Sequence, residues 1–81
     1  MDKAEKTKAR VMAGQSDYNF RFADVVALLL ALGFSLRVKG SHHIFTKPDH
    51  PCFFNLQPGR AGNAKPYEVR QVRQAIKKYS L

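Results

Sequence analysis

Eighty-one residues, 44% of them hydrophobic and 25% charged, are enough for one small globular domain and too apolar for a disordered chain. Fourteen Lys and Arg against six Asp and Glu leave a net charge of +8, which points to a polyanionic partner: RNA, DNA, an anionic membrane surface or an acidic protein. The longest apolar run, Val25 to Leu32, is too short to cross a bilayer; Cys52 stands alone, so no intrachain disulfide forms; and no GxGxxG or P-loop pattern marks a nucleotide enzyme.

Asp2 to Ala13 is charged and rich in helix formers, with Ala4, Thr7 and Val11 at helical spacing and Gly14 as its stop. A helix this short needs docking to persist. Met1 to Asp17 carries basic residues but no apolar core, so a secretory signal is not expected and a reducing, cytoplasmic setting is. Phe22 to Leu32 is the strongest helix. Phe22, Val25, Val26, Leu29 and Leu32 form one face, widened by Leu28 and Leu30, which predicts cover on more than one side.

Phe34 to Lys39 switches to a period of two, with Phe34, Leu36 and Val38 facing one way and Ser35, Arg37 and Lys39 the other. Gly40-Ser41 is a turn signal, and His43 to Lys47 reads as the returning strand of a hairpin. Pro48, Asp49 and Pro51 make a loop. Phe53 to Gln57 is a third strand, with Phe54 and Leu56 inward and Asn55 and Gln57 outward. After a loop through Lys65, Pro66 stands at the first position of a helix running to about Tyr79. Val69, Val72, Ile76 and Tyr79 form its apolar face; Arg70, Arg73, Gln74, Lys77 and Lys78 fill the opposite arc. Such an arc is ordinarily a solvated face, and its functional alternative is contact with a partner. The predicted order α-α-β-β-β-α gives an α+β fold: a three-stranded antiparallel sheet with helices on one face and the other face open.

Strand parity places His42 on that open face, beside Arg37 and Lys39 from one neighbouring strand and Asn55 and Gln57 from the other. An imidazole among cations and amides is suited to moving a proton next to a phosphate, although an exposed histidine is more often simply hydrated. His43 points the opposite way and reads as structural. His42, His43, His50 and Cys52 match no recurring zinc spacing, so no metal is expected. Cys52 beside Phe53 reads as a small apolar filler.

Gly40-Ser41-His42-His43-Ile44-Phe45 resembles the G-S-H-x-x-F/Y motif of the HicA toxin family, the RNA-cleaving half of a bacterial type II toxin–antitoxin pair. Leu32-Gly33-Phe34, Asn55-Leu56-Gln57, and Ala64-Lys65-Pro66-Tyr67 leading into Val69 to Arg73 fit the same family in order. Ser16-Asp17 and Phe22 resemble a branch with an extra N-terminal segment, so the likeness runs from Ser16 onwards. Phe20 and Ser80 depart mildly from that branch. The resemblance implies an mRNA-cleaving endoribonuclease with a fold like a double-stranded-RNA-binding domain, working in the bacterial cytoplasm without metal or other cofactor. It places the functional histidine at His42 and implies silencing by a HicB-like antitoxin that covers the active face. It also divides the chain into an N-terminal helical extension, 1–17, and a ribonuclease domain, 18–81.

In RNA the 2′-OH is a built-in nucleophile, so the protein need only position it and move protons. His42 is the expected base or acid, with no evident second proton carrier. Arg37, Lys39 or backbone N–H groups of Gly40 and Ser41 are expected to stabilise phosphoryl charge, and Asn55 and Gln57 to position substrate. Lys47, Lys65, Arg70 and Arg73 are further expected RNA contacts. Two alternatives carry the same charge signature: a non-catalytic RNA-binding module, and a domain docking on an acidic protein.

Overall fold

The computed structural model describes residues 2–81. Three helices and a three-stranded antiparallel sheet follow the predicted order: α1 (Lys3–Ala13), α2 (Phe22–Ala31), β1 (Ser35–Lys39), β2 (His42–Thr46), β3 (Phe53–Leu56) and α3 (Pro66–Tyr79). A single turn of 3-10 helix, Arg60–Gly62, interrupts the loop before α3. The order from α2 to α3 is the layout of a double-stranded-RNA-binding domain, with α1 added in front.

The sheet order is β1-β2-β3, and its register fixes both faces. Leu36 pairs with Phe45 and Phe45 with Phe54, so these three share one side; Val38, His43 and Leu56 follow on the same side. Phe45, Phe54 and Leu56 are almost wholly buried there, in one cluster with Val25, Leu28 and Leu29 of α2 and Val69, Val72 and Ile76 of α3. Val38, at the end of β1, lies on this side yet is 53% exposed. Among the described residues no helix lies over the opposite side, where Ser35, Arg37, Lys39, His42, Thr46, Phe53 and Asn55 are exposed. The hairpin between β1 and β2 turns on Gly40 and Ser41, with Lys39 facing His42. Gly40 takes a φ of +62°, the conformation that a tight two-residue hairpin asks of glycine.

Helix α1 gains the docking its length demands. Val11 is fully buried in the common core, and Asp2 caps the helix by accepting from the Glu5 N–H at 2.8 Å. Lys3 pairs with Asp24 of α2 at 3.0 Å, and Lys8 Nζ donates to the Leu81 carbonyl at 2.8 Å. Leu28, assigned to a flank of α2 by periodicity, lies in the core with 1% exposure, whereas Leu30 on the other flank stays 46% exposed. Thus α2 is covered by the sheet and α1, and its Leu30 side is left open. Among the described residues no helix is long and apolar enough to cross a membrane.

Candidate active site

Three rows of side chains cross the open face. Lys39 and His42 stand at the hairpin end, with Gln57 just beyond β3; Arg37, Ile44 and Asn55 form the middle row; Ser35, Thr46 and Phe53 form the far row. His42, Asn55, Arg37 and Lys39 are all exposed, and Gln57 is half-buried. The expected neighbourhood of His42 is therefore assembled, on the expected face.

The geometry around the imidazole is specific. His42 Nδ1 lies 2.9 Å from Asn55 Oδ1. An amide oxygen can only accept, so Nδ1–H donates here and Nε2 is the ring nitrogen that this contact leaves free. Gln57 Nε2 lies 2.9 Å from that Nε2 and 3.0 Å from Nδ1. An amide nitrogen so nearly equidistant from the two ring nitrogens lies over the face of the imidazole and not along either in-plane lone pair. The arrangement holds the imidazole by its Nδ1 edge and flanks the ring with Gln57, leaving Nε2 as the nitrogen that Asn55 does not engage.

Gln57 is itself anchored from below. Its backbone N–H donates to Glu68 Oε2 at 2.8 Å, and Glu68 Oε1 accepts from the Lys65 N–H at 3.1 Å. Glu68 is 1% exposed and sits in the first turn of α3, where the helix dipole favours an anion. This carboxylate ties the end of β3 to the start of α3. Sequence reasoning passed it over, although a Glu three residues after a helix-capping position, directly behind Pro66-Tyr67, is a capping signal. Glu68→Ala is expected to strand two backbone donors and lower stability by about 2–4 kcal/mol. Glu68→Gln, which keeps one acceptor, is expected to cost about half as much, read by denaturant unfolding.

The remaining expected RNA contacts divide. Arg37 and Lys39 project freely from β1, and Gly40 and Ser41 form the turn beside His42. His43 Nδ1 donates to the Ser41 carbonyl at 3.1 Å, and its ring meets Phe22 edge-on at 4.8 Å, so His43 is structural as expected. Arg70 is exposed, with one guanidinium nitrogen 4.0 Å from Asp17, and the Lys65 ammonium lies 5.9 Å over the ring of Tyr67. Lys47 and Arg73 are placed elsewhere. Lys47 lies on the helix side of the sheet, where Nζ donates to the Leu32 carbonyl at the end of α2 and stands over Phe34. Gly33 leaves room for it: a Cβ there would come within 2.9 Å of the ammonium. Arg73 is half-buried and joins α3 to α1, donating to the Val11 carbonyl at 2.6 Å and to Asp17. Both cations already have partners on the helical side.

His50 and Cys52 form no site with the histidines at 42 and 43. The Cys52 N–H donates to His50 Nδ1 at 3.1 Å, and the His50 ring packs edge-on against Tyr79 at 4.8 Å. Among the described residues no group of three or more His, Cys, Asp or Glu is placed to hold a metal ion. Burial pushes the Cys52 thiol up, with Lys78 and Lys47 pulling it partly back. The folded chain thus keeps a proton that an unfolded thiol has lost, and this side chain's contribution to stability falls as pH climbs past the ordinary thiol range. At pH 8 alkylation of the native protein is expected to run at least about tenfold slower than that of the unfolded chain, by timed thiol labelling.

The chain is thus a small basic α+β domain with one histidine oriented on an open, cation-bearing sheet face. Comparison with known families is more specific: the HicA toxin of bacterial toxin–antitoxin systems matches residues 22–78, well over half of the chain. The chain belongs to the HicA toxin family, and a toxin of this kind is paired with an antitoxin. No curated protein and no solved structure gives a significant match to it.

Proposed function

We propose that this toxin is a metal-independent endoribonuclease that cuts mRNA in the bacterial cytoplasm, with His42 as its proton-transfer residue and a HicB-like antitoxin as the partner that covers its open face. The observation that carries the reading is the contact from His42 Nδ1 to Asn55 Oδ1, which leaves Nε2 as the ring nitrogen free to meet a substrate on the open, cation-bearing face of the sheet. In the reaction Nε2 takes the proton of a ribose 2′-OH as its oxygen attacks the adjacent phosphorus. The O2′–P bond forms, the P–O5′ bond breaks, and the leaving 5′ oxygen is protonated by the imidazolium or by water. Arg37 and Lys39 offset charge on the non-bridging oxygens, aided by the backbone N–H groups of Gly40 and Ser41. Gln57 and Asn55 position the ribose and the ring. Lys65 and Arg70 extend the phosphate-binding surface; Lys47 and Arg73 do not belong to it, because their cations are already paired.

The test is cleavage of a labelled single-stranded RNA by the purified protein in EDTA, with His42→Ala in parallel. Cleavage by the parent alone, with RNA binding by both, supports the reading. Binding without cleavage in either protein overturns it in favour of an RNA-binding module.

A further inference from the structure

The open face carries one feature that proton transfer at His42 does not use. Phe53, in the far row, is 64% exposed, on a sheet face whose other side chains, the half-buried Ile44 apart, are polar, cationic or amide. A lone exposed aromatic is ordinary on a protein surface. This one differs in its surroundings. It projects on the same side of β3 as Asn55 and Gln57, the two amides that hold His42. Its cross-strand neighbour is the short Thr46, followed by Ser35, so nothing bulky in that row covers its ring. Arg37 and the half-buried Ile44 occupy the next row towards the histidine. Four residues of strand separate Phe53 from Gln57, about 13 Å at the usual rise. At ~3.4 Å per stacked nucleotide, and more in an unstacked strand, that span covers at most about four nucleotides.

We propose that Phe53 is a base-stacking platform, a subsite for one unpaired base within about four nucleotides of the scissile phosphate. The proposal deepens the ribonuclease reading and rests on it for the direction of the strand across the sheet. It commits the protein to single-stranded RNA. A base inside a duplex is already stacked on both faces, whereas an unpaired base gains by lying on an exposed aromatic ring while cations track its backbone. The ring supplies affinity and tolerates any base, because every base has a π-face; selectivity for sequence is left to the amides near His42.

The chain contains no tryptophan, so Phe53→Trp places a single tryptophan at the proposed platform, whose emission is excited selectively over that of the three tyrosines. In a His42→Ala background, titration with a short single-stranded RNA is expected to quench that emission, and the same RNA in a duplex to quench it far less. Phe53→Ala is expected to weaken single-strand binding about tenfold or more, with Phe53→Tyr near the parent value. Unchanged emission while the labelled RNA binds, no binding at all, or equal affinity of the parent and Phe53→Ala would each overturn the platform. So would a Phe53→Ala protein that loses antitoxin binding but keeps its RNA affinity, which would assign the ring to the protein partner. Quenching without His42-dependent cleavage keeps the platform and removes the ribonuclease reading. Cleavage that is indifferent to Phe53 does the reverse.

Discussion

His42→Ala is expected to slow RNA cleavage by about 10²–10⁴-fold, the usual contribution of one positioned acid–base group, while RNA affinity stays within about twofold of the parent. The separation of the two effects follows from the geometry. Asn55 holds the imidazole by its Nδ1 edge, and phosphate binding falls to Arg37 and Lys39 of the neighbouring strand. Truncating the ring removes the Nε2 lone pair and leaves those cations in place. Asn55→Ala should give a smaller loss, because Nε2 is still present but the ring is no longer held with its proton on Nδ1. Arg37→Ala should behave in the opposite manner, weakening binding and reducing the salt dependence by about 0.7 in log–log slope, as the loss of one single-strand phosphate contact would. Single-turnover cleavage and equilibrium binding, measured on the same oligonucleotide at several salt concentrations, separate all three variants. Cleavage by His42→Ala at the parent rate would remove the histidine from the mechanism.

The parts of the fold written in local pattern were legible in the sequence. The change from a 3.6-residue to a two-residue period between Leu32 and Phe34, and the Gly40-Ser41 turn, place α2 and the hairpin within a residue or so of their observed bounds. Parity alone brought His42, Asn55 and Gln57 to one face, because a strand alternates whatever packs on it. Phe53 lay within the same parity as an outward aromatic but drew no attention, since an exposed ring acquires meaning only beside an identified site. Glu68 was hidden because its two partners come from different elements. Lys47 and Arg73 were misplaced for a related reason. Parity from Phe45 already puts Lys47 on the helix side, yet its destination, the open carbonyl at the end of α2, depends on how that helix packs over the sheet. A helical wheel likewise puts Arg73 on the basic arc without disclosing that α1 docks against it.

Arg73 therefore supplies a stability prediction where its sequence position suggested an RNA contact. Arg73→Ala is expected to destabilise the fold by about 3 kcal/mol, the scale for removing one member of a largely buried ion pair. The loss is double. The Asp17 carboxylate, with only 14% of its side chain exposed, would keep only the distant Arg70 guanidinium. The Val11 carbonyl at the end of α1 would lose its donor just where Val11 itself enters the core. For a domain of this size that cost lowers the melting temperature by about 12–24 °C, large enough to read by circular dichroism. A double-mutant cycle with Asp17→Asn should return a coupling of at least about 1 kcal/mol, because the two side chains meet directly. The salt dependence of RNA binding should not change, in contrast to Arg37→Ala. A variant that melts like the parent but binds RNA more weakly, with a shallower salt slope, would move Arg73 back to the nucleic-acid surface and leave α1 held by its other contacts, Val11, Lys3 and Lys8 among them. The expected result instead makes α1 part of the folded unit: the basic arc of α3 is divided between Arg70, which faces solvent, and Arg73, which fastens the N-terminal helix to the domain.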